Sequence, residues 1–126
     1  MNITVCRLKS DDVYKLQSII KEDIAKNAYI TWPFTNEVAL SFINDFNTWG
    51  IWINNDMLVG AIEIKDTYET SYLVAKIYQN NGVATEAIKQ IKEIYHCKQL
   101  WCRINPNNKA SLKVAHKTHM RVRFYR

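Results

Sequence analysis

Glycine and proline are scarce in this chain of 126 residues: three glycines and two prolines. That excludes a Gly-rich or Pro-rich linker, and neither an internal repeat nor a low-complexity segment is found. It also removes the glycine-dependent nucleotide motifs: Gly-x-x-x-x-Gly-Lys-Ser/Thr and Gly-x-Gly-x-x-Gly are both absent. Cysteine is sparse and odd in number, Cys6, Cys97 and Cys102, without metal-ligand spacing. A disulfide framework and a metal site are therefore not expected, and buried free thiols are. A catalytic thiol would want a cationic partner, and the sequence identifies none. No apolar run approaches the roughly 20 residues that span a bilayer. The N-terminus carries Asn2, Thr4 and Arg7 among its apolar residues, unlike a secretory signal. The expected location is the cytoplasm, with no membrane partner.

What remains is an ordinary globular composition, 48% hydrophobic with 12% aromatic residues. One domain spanning 1–126 is expected, large enough for a sizeable core.

The most informative stretch runs from Tyr72 to Ile88. It begins with β-forming residues, passes through the turn formers Gln79-Asn80-Asn81-Gly82, and then places Ala84, Ala87, Ile88, Ile91, Ile94 and Tyr95 at helical spacing. Strand, tight polar loop, helix is the reading. The first N–H groups of a helix lack intrahelical partners and sit at the positive end of its dipole, so such a loop can hold a phosphate. Gly82 would let the backbone approach the anion, and Ala84 and Thr85 leave room. A plain connection between two elements is the competing reading.

A second stretch, Asn105-Pro106-Asn107-Asn108-Lys109-Ala110-Ser111, follows a strand-like Gln99–Ile104. Together the two stretches resemble the GNAT superfamily of N-acetyltransferases. Gln79-Asn80-Asn81-Gly82-Val83-Ala84 fits its Gln/Arg-x-x-Gly-x-Gly/Ala loop. Gly82-Val83-Ala84-Thr85-Glu86-Ala87 resembles the Gly-Tyr-Ala-Thr-Glu-Ala that often opens its central helix. Glu69-Thr70-Ser71-Tyr72 is similar to its Glu-x-Gly-Tyr, and Asn105-Pro106-x-Asn108-x-x-Ser111 to its later Asn-Pro-x-Asn-x-x-Ser. Upstream, Trp32-Pro33-Phe34 before Glu37-Val38-Ala39-Leu40-Ser41-Phe42-Ile43 looks most like the branch containing ribosomal-protein-alanine N-acetyltransferases.

The resemblance implies an α/β (α+β) fold: a mixed, mostly antiparallel sheet flanked by helices, short at the C-terminus. It implies acetyl-CoA as cosubstrate and direct transfer to a primary amine, on a small molecule or a peptide N-terminus. The pyrophosphate would lie on backbone N–H groups of Gln79, Asn80, Asn81, Gly82, Val83, Ala84 and Thr85. The pantetheine arm would pair with backbone near Leu73, Val74 and Lys76, as an added strand does. Asn108 and Ser111 would meet it from the far side, and Lys76 or Lys117 would meet a phosphate. Glu69, with Glu63 behind it, is the expected base, since an ammonium group cannot attack a thioester. Either carboxylate can equally be a surface group on a strand edge. Many relatives carry a tyrosine acid where this chain has Ala115, leaving Ser111, His116, Tyr72 or Tyr125, or an unaided thiolate. That departure keeps open a non-catalytic acyl-CoA-binding module.

The net charge is +5, and seven cations crowd the end: Arg103, Lys109, Lys113, Lys117, Arg121, Arg123 and Arg126. Such an end can attract an acidic cofactor, bind nucleic acid or simply be solvated. The cations are not interleaved with aromatics in one stripe, so no nucleic-acid partner is expected.

Elsewhere the patterns predict a strand over Ile3–Leu8, a helix capped by Ser10 with the stripe Val13, Leu16, Ile19, Ile20 and Ile24, and a connection over 27–35. Thr35 would cap a helix carrying Leu40, Phe42, Ile43 and Phe46. Tyr29, Trp32 and Phe34 would pack in the core or shape an acceptor pocket. A hairpin turning at Asn54-Asn55-Asp56 and a strand from Glu69 give three successive antiparallel strands. Gly60 suggests a bulge or close backbone approach. A helix over 108–118 precedes a last strand over 121–125. His119 stands where relatives have a C-cap glycine. A bare edge at that last strand would suit a homodimer.

Overall fold

The computed structural model describes residues 2–45 and 47–125; Phe46 and Arg126, named above, lie outside the described residues. Strand β1 (Ile3–Arg7) is followed by a 3-10 turn at Ser10–Asp12 and helices α1 (Val13–Ile19), α2 (Glu22–Asn27) and α3 (Asn36–Asp45). Strands β2 (Asn47–Ile53), β3 (Met57–Ile64) and β4 (Thr70–Val74) lead through a 3-10 turn at Lys76–Tyr78 into α4 (Val83–Ile94). Strand β5 (Trp101–Ile104), helix α5 (Lys109–Thr118) and β6 (Arg121–Phe124) complete the order.

The strands form two hydrogen-bonded groups. β1-β2-β3-β4 is antiparallel throughout, and β5-β6 is a parallel pair. Alternation sorts the larger sheet onto two cores. Trp52, Leu58, Ala61 and Leu73 pack with α1, α2 and α3 residues such as Leu16, Ile24 and Ala39. Ile51, Val59, Ile62 and Val74 pack with Val83, Ala87, Ile88 and Ile91 of α4. A smaller cluster of Cys102, Ile104 and Ala115 seats α5 on β5.

Several sequence expectations need correction. The stripe from Val13 to Ile24 is not one helix: Ile20 turns extended (ψ 95°) and splits it into α1 and α2. Both pieces still bury their apolar face, because Leu16, Ile20 and Ile24 all enter one core. Ser10 is not the cap; the Asp12 carboxylate accepts from Lys9 N–H at 2.9 Å, since the preceding turn is 3-10. Of the three thiols only Cys102 is buried, while Cys6 and Cys97 are exposed. Phe34 is buried, but Tyr29 and Trp32 are exposed.

Other details hold. Thr35 Oγ1 accepts from Val38 N–H, Asn54 and Asn55 turn the β2–β3 hairpin at positive φ, and His119 ends α5 at φ 57°. The edge of β1 is covered by a side chain: Gln90 of α4 accepts from Val5 N–H and donates to Ile3 C=O. The outer edge of β6 has no strand beside it among the described residues.

Candidate functional site

Among the described residues one backbone bridge, Glu69 with Trp101, joins the two strand groups. Beyond it β4 and β5 run parallel but share no further ladder, so they splay apart. The register decides what β4 offers to that gap. Lys65 N–H donates to Glu69 C=O, and Ala75 N–H to Val59 C=O. Residues 69, 71, 73 and 75 therefore bond β3, and the alternate residues turn their N–H and C=O outward. Tyr72 and Val74 thus face the gap. Leu73 does not: its carbonyl lies against Gly60 of β3, and its side chain is buried. Gln79 Nε2 donates to Val74 C=O at 2.9 Å and ties the following loop to the strand.

That loop turns sharply. Asn80 and Gly82 both have positive φ, 64° and 78°. Glycine is favoured at the second, and a Cβ built there meets nothing within 4 Å. Gly82 C=O accepts the first helical bond, from Glu86 N–H. No side chain caps α4, so the N–H groups of Val83, Ala84 and Thr85 lack intrahelical partners.

The splay opens a cleft of about 790 Å³. Val74, Gln79, Asn80, Gly82, Val83, Ala84 and Thr85 line one side, with Leu73 at the strand. Asn105, Asn108, Ser111, Lys113 and Lys117 line the other. Its cationic lining residues are Lys26, Arg103, Lys113 and Lys117, and no carboxylate is among the lining residues. An uncapped helix N-terminus and two lysines that line one cleft without acid suit a phosphorylated ligand. Above it, Tyr72 and Val74 present an open strand edge that can pair with an amide-bearing chain.

The chain matches the family described as Acetyltransferase (GNAT) domain over residues 2–121. It belongs to the GNAT acetyltransferase family. Solved structures agree on the fold. A GNAT-family acetyltransferase from Bacillus anthracis superposes with a TM-score of 0.76 at 21% identity, covering 96% of this chain and 81% of that one. A ribosomal L7/L12 alpha-N-protein acetyltransferase gives 0.75 at 14% identity, covering 94% and 76%. An aminoglycoside acetyltransferase in complex with coenzyme A gives 0.72 at 12% identity, covering 93% and 83%. No curated protein matches the chain.

Within this GNAT fold the remaining candidate residues fall as follows. Lys76 and Asn81 are exposed and lie outside the cleft lining. Asn108 Oδ1 is occupied as the α5 cap, accepting from Ser111 N–H at 3.1 Å. Ser111 and the Tyr72 phenol line the cleft together, near enough for Ser111 to act on that phenol. Burial raises that phenol's pKa above the ordinary value, Ser111 pulls it down and Cys102 pushes it up. His116 is remote from this pair: it borders a separate hollow of about 700 Å³ with His96 and His119. No group of residues there or elsewhere could hold a metal among the described residues. Nor is any helix long and apolar enough to cross a membrane.

Glu69 and Glu63 do not line the cleft. Glu63 stands opposite Ser71 across β3 and β4, on the face that α1–α3 cover. Its carboxyl is raised above the usual carboxylate range, first by burial and then by Glu69, against the pull of Lys65. The Glu69 side chain is 12% exposed, with Lys65 Nζ 3.9 Å away. Its charge reaches two lining residues, Cys102 and Tyr125, and raises both. Burial first and Glu69 second push the Cys102 thiol up to about 11, so it stays protonated and is no nucleophile at neutral pH.

Lys113, one of the cations of the basic end, lines the cleft with Lys117, one helical turn away on the same face. Of the two expectations for Tyr29, core or pocket, the pocket is the one it meets: it is 71% exposed at φ 57°, lines the cleft and packs against Tyr125 at 5.3 Å, a contact no local pattern announces.

Proposed function

We propose that this chain transfers an acetyl group from acetyl-CoA directly to a primary amine, on a peptide N-terminus or a small molecule. The observation that carries the reading is the acid-free cleft joining an uncapped α4 N-terminus to the outward edge of β4. The N–H groups of Val83, Ala84 and Thr85 hold the pyrophosphate, with Lys113 and Lys117 opposite. Tyr72 and Val74 backbone groups pair with the pantetheine arm. Val74 N–H also serves the developing oxyanion.

Glu69, with Glu63 behind it, takes the amine proton through water, and the free amine forms the new C–N bond as the C–S bond breaks. The departing thiolate takes a proton from Tyr72, which Ser111 orients. This hydroxyl pair answers the missing tyrosine at Ala115, so the catalytic reading is preferred to a non-catalytic acyl-CoA-binding module. The branch of ribosomal-protein N-acetyltransferases fits the fold match to a ribosomal alpha-N-protein acetyltransferase. Exposed, unpaired Cys6 and Cys97 suit the reducing cytoplasm. The uncovered β6 edge is where a second copy would add to form a homodimer.

Calorimetric titration with acetyl-CoA, of the parent and of Gly82→Glu, tests the site. Micromolar binding to the parent, abolished in a variant of unchanged circular dichroism, is expected. No binding to a folded parent would sink the reading.

A further inference from the structure

One surface extends beyond the cofactor cleft and shares only Arg103 and Tyr125 with it. The α1–α3 face of the β5–β6 pair carries Trp101, Arg103, Arg121, Arg123 and Tyr125, because these residues alternate outward from buried Cys102 and Ile104. No helix covers it. Arg103, Arg121 and Arg123 are all exposed. Helices α1–α3 pack on the larger sheet instead.

The arginines are held without neutralisation. The guanidinium carbons of Arg103 and Arg123 lie 5.4 and 4.9 Å from the Trp101 ring centroid. Arg103 also lies 5.7 Å from that of Tyr125. Stacking on an aromatic face leaves the N–H edge of a guanidinium free to grip a carboxylate. Among the described residues, none of the three arginines has a carboxylate within ion-pair distance. Lys26, the lysine of α2, is by contrast already paired with Glu22 at 3.0 Å.

The platform is continuous with the acceptor end of the cleft. Arg103 and Tyr125 line that cleft, and Glu69 sits close enough to Tyr125 to shift its phenol. An amine presented to Glu69 therefore has the rest of its molecule over Arg103 and Arg123. A polycation such as a polyamine or an aminoglycoside would meet uncompensated like charge there.

We infer that the acceptor is an acidic peptide, whose free N-terminal amine enters the cleft while carboxylates at its following positions bind Arg103 and Arg123. The inference rests on the acetyl-transfer reading for its amine. It uses a surface that reading does not need. A nucleic acid would satisfy the cations and aromatics but brings no aliphatic amine to Glu69.

The test uses two peptides with free N-termini and a fluorophore at the C-terminus, one acidic and one basic after the first residue, and a single-stranded oligonucleotide. Anisotropy reads binding, and thiol release from acetyl-CoA reads turnover. The acidic peptide should bind at least tenfold tighter than the basic one, lose that advantage in Arg123→Glu and in high salt, and be acetylated with the higher kcat/KM. Calorimetry on Arg123→Glu should return the parent's affinity for acetyl-CoA. Equal or tighter binding of the basic peptide overturns the inference, as does tighter binding of the oligonucleotide than of the acidic peptide. Acidic-peptide binding with neither acetyl-CoA binding nor thiol release would overturn the acetyl-transfer reading, while the charge preference of the surface would stand.

Discussion

Glu63 is a carboxylate whose charge this fold suppresses. Burial raises its pKa, with Glu69 adding and Lys65 opposing. The folded protein therefore binds its proton more tightly than the unfolded chain does. Its contribution to stability is fully present below the unfolded carboxylate value. It declines as pH rises through the window up to the raised folded value. Replacing Glu63 by Gln removes a charge that is costly to bury. The variant should melt above the parent at pH 7, and the gap should close below about pH 4. A variant that melts below the parent at pH 7 would mean that the ionised carboxylate is satisfied by a partner stronger than Lys65.

Residue chemistry also explains what the sequence could and could not reveal at the site. Gln79, Gly82 and Asn108 were singled out in the sequence as cofactor contacts; the local roles the fold gives them, a tie to Val74, a left-handed turn and a helix cap, were not part of that reading. Leu73 lines the cleft but turns its own N–H and C=O to β3, so the outward groups are those of its neighbours Tyr72 and Val74. A strand pattern gives faces, but which N–H groups point outward depends on the β3–β4 register, and a chain pattern does not contain register. The Tyr72–Ser111 pair joins a strand to a helix and is likewise invisible before the fold is assembled.

Among the elements, β3 and β4 fix the cleft's near wall, and Gly60 sets how closely they approach. A Cβ at this position would collide with Leu73 C=O and stand 3.0 Å from Ile51 Cδ1. Gly60→Ala should cost about 1–3 kcal/mol, the usual toll of overpacking, read as a lower midpoint in urea unfolding. An unchanged midpoint would mean that the two strands can part without loss. The sequence had marked Gly60 for bulge or close approach. Both are found there: the close approach is at Gly60, and the register passes from Ile51–Gly60 to Trp52–Leu58, which leaves Val59 beside Gly60 as the extra residue of a bulge. Element types were mostly readable from periodicity. The α1–α2 break was not, because Ile20 stays buried on either side of it and the apolar stripe continues through the kink.

At the scale of the whole molecule, charge and splay act together. The cations of the last stretch, which sequence alone left divided among several uses, separate in space. Lys113 and Lys117 line the cleft that the α4 N-terminus also lines, while Arg103 and Arg123 stack on Trp101. Their distribution over two surfaces follows from α5 packing on one face of the β5–β6 pair while Arg103 and Arg123 point from the other, which composition cannot express.

The single bridge between Glu69 and Trp101 has a further consequence. Six strands are arranged as four and two, with the fastening at one end only. A chain laid along the outward groups of Tyr72 and Val74 would act as missing architecture, filling the seam where a ladder would otherwise run. Loading the cleft should then resemble completing the fold. At a hundredfold excess over Kd, acetyl-CoA should add about 2.7 kcal/mol, and the amide protons of Tyr72 and Val74 should exchange more slowly with solvent. A melt shifted by ligand with exchange unaltered along β4 would mean that only the phosphates are gripped and the seam stays open.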